Sequence, residues 1–115
     1  MKYNIVFEEL AENDLTDIFE YICNKLHEPE IAVRIYRSLK KDILSLETMP
    51  FRFALLEENP YKSMGVRCIA IENYTAFHFP FNFITTGAFY IPDKSTKTVH
   101  ILRILYNRRD WKAIL

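Results

Sequence analysis

The sequence predicts an α+β domain in which a two-helix antiparallel hairpin packs on a mainly antiparallel β-sheet. Three observations carry that reading. Apolar residues alternate with period two from Tyr3 to Phe7, then switch from Glu9 to three- and four-residue steps. Pro29 divides the helical stretch into two amphipathic halves. From Val66 onward the chain is rich in β-branched and aromatic residues. Its 115 residues fit a single domain, 1–115.

Each element follows from its pattern. Tyr3, Ile5 and Phe7 share one side of a short first strand. Ala11, Leu15, Ile18, Phe19, Ile22 and Leu26 mark the buried stripe of the first helix, whose acidic residues read as a solvated face. Pro29 suits the first turn of a second helix, with Ala32, Ile35, Tyr36, Leu39, Ile43 and Leu46 as its stripe. Residues 51–63 are irregular. Val66 to Ile71 reads as a strand, Glu72-Asn73 as a turn, and Tyr74 to Phe83 as a strand. In that last run Phe77, Phe79, Phe81 and Phe83 recur with period two, and Pro80 implies a bend or a sheet edge. Thr85-Thr86-Gly87 reads as a further turn, Ala88 to Ile91 as a return strand and Asp93 to Thr96 as a polar turn. Thr98 to Tyr106 is the last strand, with Val99, Ile101, Arg103 and Leu105 on one face.

Composition excludes several functions. Gly65 and Gly87 are the only glycines and lie far apart, so a P-loop or dinucleotide fingerprint has no place. Cys23 and Cys68 form no CxxC pair, and His27, His78 and His100 form no HExxH, so a zinc site has no pattern behind it. Widely spaced thiols and the absence of a long apolar run predict a cytoplasmic, non-membrane protein. The formal net charge of zero conceals a split. Residues 1–60 hold 7 Lys+Arg against 12 Asp+Glu, and residues 61–115 hold 8 against 3. Such asymmetry marks an anion-facing half.

Chemistry concentrates near the C-terminus. Arg103 shares its predicted strand face with apolar residues, where arginine needs a partner, and its forked donors suit carboxylate or phosphate. Arg67 opens an earlier strand. Lys62, Arg108, Arg109 and Lys112 add charge around a candidate basic hollow, and Tyr106 offers a phenol at the strand end. The competing reading pairs Arg103 with a helix carboxylate and Arg108 or Arg109 with Asp110, and seats Trp111 at the core edge.

The ordered segments YNIVFEELAENDLTDIFEYI, IAVRIYRSLKKDILSLETMP, MGVRCIAIENYTAFH and TVHILRILYNRRDW resemble the RelE/ParE superfamily of toxins from bacterial type II toxin–antitoxin pairs. The resemblance implies a cognate antitoxin as partner, no cofactor, and one of two activities. RelE-like toxins cut mRNA in the ribosomal A site without metal; ParE-like toxins inhibit DNA gyrase by protein–protein binding. The expectation is an mRNA interferase. In it Arg67 and Arg103 stabilise phosphate charge, Tyr106 (or His100) transfers the proton, and Lys62, Arg108, Arg109 and Lys112 bind RNA on the ribosome. Gyrase inhibition, or an inactive homologue that only binds antitoxin, is the alternative. Against the family pattern the chain is neutral rather than basic, and residues 81–91 read as an insertion between strands.

Overall fold

The computed structural model describes residues 2–25, 27–74 and 83–106. β1 (Asn4–Phe7) leads into α1 (Glu9–Glu20) and α2 (Pro29–Leu44). A short α3 (Tyr61–Met64) precedes β2 (Arg67–Tyr74), β3 (Phe83–Asp93) and β4 (Thr98–Tyr106). The strands form one sheet in the order β1-β4-β3-β2. β1 lies parallel to β4, from Asn4 opposite Thr98 to Phe7 opposite Ile101, and the other pairings are antiparallel. The predicted fold class and the bounds of the last strand stand.

The hairpin forms because each helix has one apolar stripe and one charged face. Glu9 and Glu12 in the first turn of α1 complement the partial positive charge of a helix N-terminus. The helix ends in a π-helical turn, Tyr21–Lys25. His27 then takes a left-handed φ of 56°, and Pro29 starts α2, where its missing N–H costs nothing. Leu15 and Ile18 of α1, with Ile35, Leu39 and Ile43 of α2, pack on Ile69, Ile71, Tyr90, Val99, Ile101 and Ile104 of the sheet. Each such side chain is worth roughly 1.5–3 kcal/mol when buried. A smaller cluster, built on Val66, Phe89 and Leu105 with Tyr61, Cys68 and Leu102, occupies the other face.

Two predicted turns are strand instead. Glu72 and Asn73 continue β2, and Thr85, Thr86 and Gly87 lie inside β3. The unbroken ladder from Arg67 opposite Tyr90 to Tyr74 opposite Phe83 satisfies the backbone at every step, which outweighs local turn preference. Packing is tight at Gly87, where a Cβ would stand 3.3 Å from Cys68 Sγ and 3.4 Å from the Phe89 ring. Residues 83–91 are therefore sheet, within β3. Phe77, Phe79, Pro80 and Phe81 lie outside the described residues, so the phenylalanine run is not described.

The polar turn between β3 and β4 is present. Asp93 Oδ1 accepts hydrogen bonds from the Ser95 N–H (2.9 Å) and hydroxyl (2.7 Å), which hold the Asp93 carboxyl below the usual carboxylate range. Lys97 closes the turn at a φ of 53°. Within the sheet the pairing slips, with Phe89 opposite Arg103 and Tyr90 opposite Ile101, so Leu102 has no partner of its own. This bulge breaks the face predicted for β4. Val99, Ile101 and Ile104 join the helix-side core, whereas Leu105 packs on the opposite face.

Candidate functional site

Beyond Ile101, β4 has no strand beside it on the β1 side among the described residues, and α1 covers that edge with Asp14. Asp14 lies within the buried stripe of α1, between Ala11 and Ile18, and is 7% exposed. Its Oδ2 accepts from the Ile104 N–H at 2.9 Å and from Arg103 Nε at 2.7 Å, and its Oδ1 accepts from Arg103 Nη2 at 2.9 Å. The bidentate geometry is the strong form of an arginine–carboxylate pair. Held by those bonds, the Arg103 guanidinium keeps its proton more firmly than a free one. The competing sequence reading, a helix carboxylate for Arg103, describes this contact, and the expectation that the acidic residues of α1 are all solvated fails at Asp14.

Arg67 is held differently. Its Nη1 donates to the carbonyls of Phe51 (3.2 Å) and Phe53 (2.6 Å), and its guanidinium lies 5.1 Å from the centre of the Phe51 ring. Its Nε is buried and has no hydrogen-bond partner among the described residues. Beside it Tyr90, wholly buried, donates from its hydroxyl to the Pro50 carbonyl at 2.7 Å. Burial pushes the Tyr90 phenol up to about 12 against the opposing pull of Arg67 and Arg52.

The predicted pair therefore does not converge. β3 separates the strands of Arg67 and Arg103, which puts their Cα atoms about 10 Å apart at ordinary strand spacing. One guanidinium then turns to the 51–53 segment and the other to α1. Tyr106 ends β4 opposite Thr86, four residues along β3 from the partner of Arg67, or about 13 Å further along the sheet. Lys62 is exposed on α3. Arg108, Arg109 and Lys112 lie outside the described residues. His100 Nδ1 meets Glu8 Oε1 at 2.9 Å on the surface. Burial raises the Cys68 thiol to about 11, which keeps it protonated and a poor nucleophile at neutral pH. Among the described residues, no three His, Cys, Asp or Glu side chains converge on a metal position.

What the fold does build beside Arg103 is an open groove of about 400 Å³. Leu10, Tyr61, Met64, Val66 and Leu102 supply apolar walls, Arg103 contributes its stem, and Glu8 and Glu9 also line it. Leu10 and Met64 are more than half exposed, an arrangement suited to contact with a partner. The sequence pattern misses this groove because α1, α3 and β4 are remote in the chain. It also misses Asp14, whose one local signal is a carboxylate inside an apolar stripe.

The strand, hairpin and four-stranded sheet place the chain in a fold shared with solved toxins. Over 90% of this chain and 94% of that one, it matches a structure described as a chromosomal ParDE toxin–antitoxin system from P. aeruginosa, with 20% identity and a TM-score of 0.65. The toxin–antitoxin complex RelBE2 from Mycobacterium tuberculosis matches over 95% of each chain with 18% identity and a TM-score of 0.63. A mutant E. coli toxin RelE in the free state matches over 90% and 82% with 14% identity and a TM-score of 0.52. A comparison with curated protein sequences finds no match. Residues 5–111 match the family model described as the ParE toxin of the type II toxin–antitoxin system parDE, and the chain belongs to that family. It is a type II toxin.

Proposed function

We propose that this toxin acts by binding DNA gyrase rather than by cutting mRNA. The observation that carries the reading is the capture of Arg103 by Asp14. Cleavage through a 2′-hydroxyl needs cations free to meet charge developing on phosphate. A guanidinium already bridging both oxygens of one carboxylate is largely neutralised for that task. Arg67 lies about 10 Å away across the sheet and turns to the 51–53 segment, so the two guanidinium groups do not meet on one phosphate.

Inhibition by protein contact asks for different features. A groove with exposed Leu10 and Met64 and a fixed charged floor offers an apolar anchor with a polar surround. A cognate antitoxin is the resting partner in this reading, supported by family membership and by the toxin–antitoxin assemblies among the structural neighbours.

Induction in a sensitive host, followed by a gyrase-cleavage assay and primer extension on mRNA, tests it. Gyrase–DNA cleavage complexes should accumulate while transcripts stay intact, and Met64→Glu should reduce the complexes at least tenfold. Codon-positioned mRNA breaks that vanish in Arg67→Ala would overturn the reading and restore the interferase assignment.

A further inference from the structure

The Arg67 end of the sheet gathers features that the groove does not use. The 48–53 segment brings Phe51 beside Tyr3, in edge contact at 6.3 Å, and beside Lys94 of the β3–β4 turn. Cations sit over these rings. Arg67 and Lys94 lie 5.1 and 5.2 Å from the centre of Phe51, Arg52 lies 4.8 Å from that of Phe53, and Lys97 lies 5.2 Å from that of Tyr3. Arg52 also donates to the Thr48 carbonyl at 2.6 Å and to the Ser45 hydroxyl at 2.9 Å, which anchors it to the end of the helical hairpin. Among the described residues, no carboxylate forms an ion pair with any of the four. The nearest acid in sequence, Asp93, is engaged by Ser95.

A ring face positions a cation without cancelling its charge. Carbonyl partners likewise leave the two guanidinium groups with their full charge. Four held cations beside one ionised carboxylate, Asp93, leave a net positive site for a polyanion. Tyr3 is buried, Phe53 half-buried, and exposed Phe51 already carries Arg67 and Lys94. The rings therefore seat charge more than they offer platforms for unpaired bases, which favours a regular backbone over a single strand. The groove on α2, where Arg37, Lys40 and Lys41 lie with Glu47, is the comparison surface.

We infer that Arg52, Arg67, Lys94 and Lys97 dock the phosphate backbone of duplex DNA. The choice of DNA among polyanions rests on the gyrase reading, since that enzyme's substrate is a duplex. The contact itself is testable without gyrase.

The isolated full-length chain is titrated by fluorescence anisotropy with a labelled 20-bp duplex between 50 and 200 mM salt. Four phosphate contacts predict a log–log salt slope near −3.6 and a roughly 100-fold loss of affinity across that range. Replacing Lys94→Gln together with Lys97→Asn, an amide that tolerates the positive φ at 97, should bring the slope to about −1.8. Arg37→Gln with Lys41→Gln on α2 should leave it unchanged. Circular dichroism confirms folding of both double variants. No duplex binding at 50 mM salt, an unchanged slope in the turn variant, or tighter binding of a 20-mer single-stranded RNA or poly-glutamate each overturns the proposal. Because gyrase is absent, failure here leaves the gyrase assay to stand or fall separately.

Discussion

Asp14 gives one carboxylate to two tasks, ending the sheet edge at the Ile104 N–H and fixing Arg103. Removing its charge weakens the bidentate hold on Arg103, whose side chain is 19% exposed. Asp14→Asn should lower stability by about 2 kcal/mol, less than a fully buried pair would lose because solvent reaches Arg103. In a urea-denaturation double-mutant cycle, Arg103→Met should then cost much less in the Asp14→Asn background than in the parent. Alkaline titration probes a second pair of residues. Tyr90 and Cys68 are raised on folding, to about 12 and about 11 from 10.0 and 9.0. Both are neutral acids, so the folded state holds protons that the unfolded chain releases first. Stability should be level below about pH 9, fall as pH climbs from there towards 12, and flatten in Tyr90→Phe with Cys68→Ala when urea midpoints are followed. The sequence shows that Arg103 needs a partner, because an arginine among Ile, Leu and Val on a strand has to be satisfied. It does not show which partner, since the acidic residues along α1 look alike until the helix is laid on the sheet. Arg67 is legible as a cation but not in its company, because the 48–53 segment that receives it carries no periodic signal.

The elements themselves are most legible where pattern is dense. Both helices and β4 follow from apolar spacing and from Pro29, which local chemistry dictates. Pattern alone cuts β3 short because Thr, Thr and Gly favour turns in isolation, and the ladder to β2 that overrules them is a non-local fact. The bulge at Leu102 is equally invisible, although it alone puts Ile104 rather than Leu105 on the face of Ile101. Gly87 offers a test of why that strand carries a glycine. Gly87→Ala should cost roughly 1–3 kcal/mol through overpacking against Cys68 Sγ and Phe89. Pairing it with Cys68→Ala should recover much of that loss in thermal melts, whereas a backbone requirement at 87 would leave the cost in place.

At the scale of the molecule, charge is sorted by position more than by amount. The neutral total hides a cation cluster at one end of the sheet and acidic residues on α1 and at the groove. The split between sequence halves carries the sign of this asymmetry but not its place, because Arg52 belongs to the acidic half by number and to the basic end by fold.

The parallel seam between β1 and β4 joins Asn4 to Thr98 across almost the whole chain. A nascent polypeptide therefore carries its first strand unmatched until the last one has been synthesised, and the two helices have only part of a sheet to rest on. Prematurely terminated products ending before Thr98 should lack a cooperative melting transition and be cleared by proteases. On that expectation toxicity should rise with full-length chain alone, and induced fragments ending before Thr98 should leave growth unchanged.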